Sequence, residues 1–376
     1  MGRKLSKKIT IGVFVTSHGF GHGTRICAVL NEIITSISCE LIIVSFLPEW
    51  FFRQNLPKKT NFVHIKYQAD VGLVQNDPFH HSLTKTQKEL DKFLSFEQDS
   101  TFKEVVTSIE KCEAIISDIS PLGIHIGRQV GIPTILIENF TWDWIYEKYL
   151  EEFPDFQKHI GKLSNIYKSV DLHIQATPFC KPSAHAIEVP PIFRKHMEKR
   201  EILRKRLLSS PADKLILVTT GGICKSFEYS KVLLSQKSCT FVLSSNQPKL
   251  VRKGNIIFLP ANSGFHYPDI VRASDVVVGK VGYGTLAECW SANIPILGCY
   301  RDDFRESEKL EDYARQHLFS ESITLKELEN GSWLTRAMDI QPSREYGKTS
   351  DRRSGSESAA KEIINFMIET VKNSGN

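Results

Sequence analysis

The strongest constraint on this chain is a strand–glycine loop–helix pattern that occurs twice, once near each end. The fuller copy is Val276–Glu306, VVVGKVGYGTLAECWSANIPILGCYRDDFRE. Its β-branched run Val276–Val278 reads as a buried strand, which meets Gly279, Gly282 and Gly284 before a helix expected from near Thr285. Glycines let a backbone approach a ligand closely, and a helix N-terminus offers unpaired N–H donors with about half a positive charge. A phosphate fits such a loop, with Lys280 as counter-charge, and Glu288 one turn later is placed to take two hydroxyls of a sugar ring. A following strand, Pro295–Cys299, leads into Arg301, Asp302, Asp303, Arg305 and Glu306. A phosphate cradle, a carboxylate and a polar cluster in that order suit a nucleotide-sugar. The plainer alternative is one more βα turn of an α/β domain.

The other copy opens the chain. Ile9–Val15 reads as a buried strand, HGFGHGTR (His18–Arg25) as the loop, and Ile26, Val29, Leu30, Ile33 and Ile34 as one face of an amphipathic helix. Doubly wound sheets bind ligands at the carboxyl ends of their strands. This loop departs from the dinucleotide-binding form because His18 and His22 occupy its rim, and Arg25 is expected to be an ion-pair partner more than a phosphate ligand. Further strands are expected at Glu40–Phe46, Ala114–Ser117, Thr134–Ile137 and Leu172–Ile174, with helices over Lys85–Phe96 and Leu122–Val130. Residues 57–110 are otherwise polar and are assigned to surface and acceptor-side structure, with His80 and His81 at the surface.

Four prolines in Thr177–Pro191 mark a linker, after which a basic helix (Arg194–Leu208) and strands at Lys214–Val218, Thr240–Ser244 and Asn255–Leu259 restart the pattern. The expected organisation is therefore α/β, with two Rossmann-like doubly wound domains facing across a cleft. Residues 1–190 form the acceptor domain and 191–340 the donor domain, followed by a polar mobile linker, 341–358, and a C-terminal helix, 359–376. A length of 376 residues accommodates two cores, and 41% hydrophobic with 24% charged residues is the balance of a soluble protein. The net charge of +5 does not call for nucleic acid, and no apolar window is long enough to span a bilayer. The basic N-terminus is too short for a signal peptide, and the eight cysteines form no CxxC pair, which points to reduced thiols and a cytoplasmic setting. Attachment to the inner face of a membrane remains compatible with the positive balance.

Five blocks together resemble the GT-B nucleotide-sugar glycosyltransferases: HGFGHGTR, SDISPLG, ENFTWDWIYEKYL, GKVGYGTLAE and RDDFRE. They are similar to the family-28-like branch that includes the lipid-linked N-acetylglucosaminyltransferase of peptidoglycan synthesis. They are closer to the glycosyltransferase-like N-terminal half of plant L-arabinokinases. The likeness spans most of residues 10–310 and does not reach the kinase half.

The resemblance implies a donor site in which Glu288 binds ribose hydroxyls, Lys280 stands where a histidine meets the diphosphate, and Gly282, Gly284 and Thr285 donate to phosphate. Thr220, Gly221 and Gly222 match the loop under the donor phosphates, and Asp303 matches an acid on the sugar hydroxyls. Phe304 replaces the glutamine that usually follows that acid, with Glu306 as its candidate substitute.

His22 falls where relatives keep a general base and Asp118 where its orienting aspartate lies, the alternative for Asp118 being an N-cap of the next helix. The chemistry is coherent: an acceptor hydroxyl loses a proton as it attacks, histidine titrates near neutrality, and a carboxylate fixes the tautomer and stabilises the imidazolium. His18, Gly21 and Trp142 are expected on the acceptor side. The expected activity is glycosyl transfer from a nucleoside-diphosphate sugar, most simply a UDP-sugar, to an acceptor hydroxyl, with inversion and without a metal or other cofactor. The acceptor is a lipid, a glycan or a small molecule. A nucleotide-sugar 2-epimerase and a non-catalytic nucleotide-sugar-binding module are the alternatives on the same fold.

Overall fold

The computed structural model describes residues 8–95, 100–208, 210, 213–221, 230–341 and 352–374. The chain divides into two units, the first comprising 1–75, 81–192 and 354–376, the second 76–80 and 193–353.

The first unit runs β1 (Ile9–Val15), α1 (Gly21–Ser36), β2 (Cys39–Val44), α2 (Glu49–Asn55), β3 (Phe62–Ile65), α3 (Leu83–Phe93) and α4 (Ser100–Ile109). It continues through β4 (Ala114–Asp118), α5 (Pro121–Val130), β5 (Thr134–Glu138), α6 (Trp142–Glu147), α7 (Phe156–Lys168), β6 (Leu172–Ala176) and β7 (Ile187–Val189). The sheet order is β3-β2-β1-β4-β5-β6-β7, and every neighbouring pair is parallel. The central strands are buried on both faces, which is why they read as unbroken apolar runs. The order reverses between β1 and β4, so the crevice beyond Val15 and Asp118 is the topological switch point.

The second unit contains α8 (Arg200–Leu207), β8 (Lys214–Thr219), α9 (Ser230–Ser235), β9 (Cys239–Ser245), β10 (Val251–Lys253), β11 (Ile256–Pro260), α10 (Tyr267–Ala273) and β12 (Val276–Lys280). It ends with α11 (Tyr283–Ala292), β13 (Ile296–Cys299), α12 (Glu306–His317), β14 (Ser320–Ser322), α13 (Leu325–Asn330) and α14 (Leu334–Asp339). Its order, β10-β11-β9-β8-β12-β13-β14, is parallel apart from the edge pair β10–β11 and reverses between β8 and β12. The excursion Asn76–His80 belongs to this unit, and Phe79 at its tip is buried in the core beside Ile216, Leu297 and Trp333.

Both units are doubly wound, as the repeated pattern implies, but several boundaries move. The proline-rich stretch 177–191 supplies β7, an edge strand that lies between its prolines. The basic helix starts at Arg200 because Asp269 takes the backbone N–H groups of Met197 and Glu198, holding 194–199 outside the helix. Of the expected linker 341–358, residues 342–351 lie outside the described residues, while α15 (Gly355–Ser374) begins four residues before position 359. That helix belongs to the first unit. Its buried Ala359, Ala360, Ile363 and Met367 include the contact with α1, and Gly355 sits so close to the Pro190 carbonyl that a Cβ would collide with it.

Candidate active site

His22 and Asp118 meet at the switch point of the first unit. His22 lies in the first turn of α1 and Asp118 ends β4, and His22 Nδ1 is 2.9 Å from Asp118 Oδ1. With Nδ1–H donating to the carboxylate, Nε2 is left as the acceptor a general base needs. The aspartate does not cap α5, whose N-cap residue is Ser120. Instead it is shared with Arg25, whose Nε donates to Oδ2 at 2.8 Å and Nη2 to Oδ1 at 2.6 Å. Arg25 also donates through Nη1 to Asn139 Oδ1 at 2.5 Å, and its ion-pair partner is Asp118.

Burial alone would raise the Asp118 carboxyl. The charge and hydrogen bonds of Arg25, with the His22 hydrogen bond, outweigh it and hold the group below the ordinary carboxylate range. Because Arg25 already neutralises the carboxylate, Asp118 orients His22 and fixes its tautomer more than it adds charge stabilisation to an imidazolium. The turn that presents Asp118 is strained. Ile119 has φ +58°, an outlier for a β-branched residue, and is held by Tyr167, whose hydroxyl donates to the Ile119 carbonyl at 2.7 Å.

The other residues expected on the acceptor side are in the same unit. Gly21 opens α1, and Trp142 opens α6 with its Nε1–H donating to Asp70 Oδ2 at 2.7 Å. His18 lies edge-on to Trp142, with ring centroids 5.3 Å apart, and its Nε2 is 3.6 Å from Asp70 Oδ1. Trp142 is 3% exposed, so it walls the site from within and presents little face to a ligand. Asp70 was missed because it sits in a polar segment with no periodicity, yet 69–73 is buried. His80 is exposed and pairs with Asp77 at 2.8 Å, in keeping with a surface assignment.

The residues expected to hold a donor cluster at the switch point of the second unit. At Gly279 (φ +131°) a Cβ would overlap the Thr219 carbonyl, so only glycine lets β12 run this close to the end of β8. Thr219 and Thr220 are buried and Gly221 turns with φ +78° beside Lys280, while Gly222 lies outside the described residues. Gly282 is the N-cap residue of α11, and Gly284 and Thr285 lie in its first turn, which carries no acidic side chain. Desolvation and, next, Arg301 push the Lys280 ammonium down to about 7, against the opposing pull of Glu306, Asp77 and Asp303. Glu306 is buried in the first turn of α12 and Asp303 is half-buried. Phe304, in the usual glutamine position, is 5% exposed beneath the Arg301 guanidinium, which stands 3.7 Å over its ring.

Glu288, one turn into α11, is 3% exposed and already engaged. Arg194 donates to its Oε1 from Nε at 3.0 Å and from Nη2 at 2.6 Å. This partner, 94 positions away, was not picked out from the sequence, where Arg194 was placed in a basic helix. The arginine orients the carboxylate and offsets its charge, and both of these bonds fall on Oε1.

No family model matches the chain. It is 26% identical over 354 residues to L-arabinokinase of Arabidopsis thaliana, a match covering 91% of this chain and 33% of that protein, so the chain spans about a third of that relative's length. Among solved structures it is similar to the glycotransferase of kitacinnamycin (TM-score 0.61, 12% identity, 96% of this chain and 99% of that one). It is equally similar to a UDP-glucosyltransferase from Polygonum tinctorium described as glucosylating indoxyl (TM-score 0.61, 12% identity, 96% and 99%). A Phytolacca americana UGT2, described in complex with UDP-2-fluoroglucose and pterostilbene, follows at TM-score 0.59 and 11% identity over 96% and 99%. The two doubly wound units and these similarities over nearly the whole chain give one conclusion: the protein has the GT-B fold of the nucleotide-sugar glycosyltransferases.

Proposed function

We propose that the protein is a glycosyltransferase that moves a sugar from a nucleoside diphosphate, most simply UDP, to an acceptor hydroxyl. The observation that carries the reading is the His22–Asp118 pair, assembled at a switch point by residues 96 positions apart and supported by a strained turn. His22 Nε2 takes the acceptor proton as the oxygen attacks the anomeric carbon. The bond from that carbon to the diphosphate oxygen breaks, and the nucleoside diphosphate leaves with the electron pair. Attack opposite the leaving group inverts the anomeric centre. Such a base contributes about two to four orders of magnitude in rate.

The leaving diphosphate is held by the Thr219–Gly221 turn, the N–H groups of the first turn of α11 and the Lys280 ammonium, so the charge that develops meets protein donors. Glu288 accepts the ribose hydroxyls, and Asp303 and Glu306 face the transferred sugar. The UDP and UDP-sugar named for several structural neighbours favour UDP as the nucleotide. A nucleotide-sugar-binding module without turnover is the second reading, and the Phe304 position is what favours it. The deciding experiment compares wild type with His22→Ala for release of free nucleoside diphosphate in the presence of acceptors. Transfer that His22→Ala abolishes supports the enzyme, whereas nucleotide binding with no release supports the module.

A further inference from the structure

Beside the His22–Asp118 pair the first unit holds a second imidazole–carboxylate pair, which the reaction as proposed leaves unused. Asp70 is 3% exposed. Its Oδ2 takes the Trp142 indole N–H and the Thr16 hydroxyl, whereas its Oδ1 is a buried oxygen with no hydrogen-bond donor among the described residues. His18 Nε2 is likewise without a hydrogen bond and stands 3.6 Å from that oxygen. Leaving a buried polar atom unpaired is costly, and here two such atoms face each other.

The cradle around them is built. Gly72 (φ +59°) lies flat on the His18 ring, where a Cβ would collide with it, and the Gly72 carbonyl accepts from the Tyr146 hydroxyl at 2.7 Å. Tyr146 in turn stacks on Trp142 with centroids 5.9 Å apart. The wall is continuous with the first pair: His22 is edge-on to Phe140 at 6.0 Å, Phe140 to Trp142 at 5.1 Å, and Trp142 to His18 at 5.3 Å.

A gap of 3.6 Å between a nitrogen and a carboxylate oxygen is too long for a good direct hydrogen bond and too short for a water in line between them. A group set to one side can reach both, provided that it accepts from the imidazole N–H and donates to the carboxylate. A hydroxyl does both. An ammonium has no lone pair for the imidazole, and a phosphate brings negative charge against Asp70. We propose that His18 and Asp70 bind a second hydroxyl of the acceptor, so that the acceptor class is a neutral polyhydroxylated molecule, a sugar or a cyclitol, and not an alcohol or phenol with one hydroxyl. This rests on the glycosyltransferase reading, in which His22 takes the first hydroxyl. In that arrangement both His18 and Asp70 touch the acceptor molecule, the imidazole donating a hydrogen bond and the carboxylate accepting one.

The test uses the full chain with 13C-labelled histidine ring carbons, the His18 signal being assigned from its loss in His18→Phe. Methyl α-D-glucopyranoside and myo-inositol at millimolar concentrations are expected to shift that signal, and cyclohexanol at the same concentration is not. Asp70→Asn is expected to abolish the shift. Once a donor is found, it is also expected to raise the KM for the polyol about tenfold, a larger effect than its effect on kcat. If Asp70→Asn does not fold, His18→Phe, which keeps the edge contact with Trp142, decides through the same KM comparison. No response to either polyol, an equal response to cyclohexanol, or a loss confined to kcat overturns the proposal. Affinity for UDP, GDP and TDP is measured on the same samples. If UDP, GDP and TDP all fail to bind while His18 still responds to polyols, the transferase reading falls and the hydroxyl site stands. If one of them binds and His18 stays silent, the hydroxyl site alone falls.

Discussion

Arg25 holds Asp118 with two parallel N–H···O bonds, at 2.8 and 2.6 Å, and both side chains are essentially withdrawn from water. Removing one member of a buried pair leaves an uncompensated charge, which typically costs about 3–5 kcal/mol. Arg25→Met is therefore expected to lower the unfolding free energy by about that amount in denaturant titrations. A loss under about 1 kcal/mol would show that solvent reaches the pair.

With Lys280 on the donor diphosphate, as proposed, its ammonium sets the pH dependence of nucleotide binding. Its free ammonium titrates at about 7, and a bound diphosphate favours the charged form, so binding takes up a proton at any pH between that value and the higher one in the complex. Phosphate ionisation lies lower, near about 6, and does not mask the effect. Nucleotide affinity is expected to be flat between pH ~6 and ~7 and to fall above that by up to about tenfold per pH unit. Lys280→Arg, charged throughout, is expected to flatten the profile. Calorimetry in buffers of different ionisation enthalpy reads the proton uptake directly, and a pH-independent affinity in wild type would remove Lys280 from the phosphate site.

Arg194 and Glu288 form the matching buried pair of the second unit. A double-mutant cycle of Arg194→Met and Glu288→Met is expected to give a stability coupling of about 1–3 kcal/mol. Additive effects would mean that the two side chains do not share an ion pair in solution.

Gly279 carries a constraint of backbone and not of ligand. Alanine there meets both φ +131° and the Thr219 carbonyl, and Gly279→Ala is expected to cost more than about 2 kcal/mol. Gly282→Ala, at φ −119° with open space around the new methyl, is expected to keep the thermal midpoint within a few degrees of wild type. Equal losses at both positions would contradict the close approach of β12 to β8.

Those two glycines also show what was legible in the chain. The loops at Gly19–Gly23 and Gly279–Gly284 are read from residue type because backbone approach demands glycine, and the β-branched runs beside them are read because central parallel strands are buried on both faces. The His22–Asp118 pair was reached through motif resemblance, and its geometry followed. Partners that depend on folding alone were not legible. Arg194 reaches Glu288, and Asp70 reaches His18, only through the tertiary course of irregular segments that carry no hydrophobic period. Phe79 is a comparable case: a lone aromatic in a polar stretch gives no sign that it fills the core of the second unit. The proline-rich stretch misled for a different reason, since its prolines lie outside Ile187–Val189 and those three residues pair with β6 as the edge strand β7.

The proposed roles to test are Glu288 as a ligand of the donor nucleotide and His22 as the base. Titration calorimetry of UDP, GDP, TDP and their sugars against wild type, Glu288→Ala and His22→Ala tests them most directly, with nucleoside diphosphate release measured on the same proteins. One nucleotide, UDP in the first instance, is expected to bind wild type and His22→Ala alike. Binding to Glu288→Ala is expected to be at least about tenfold weaker, and transfer by His22→Ala to fall by about two orders of magnitude or more. Nucleotide affinity unchanged in Glu288→Ala, or full transfer activity in His22→Ala, would contradict these roles.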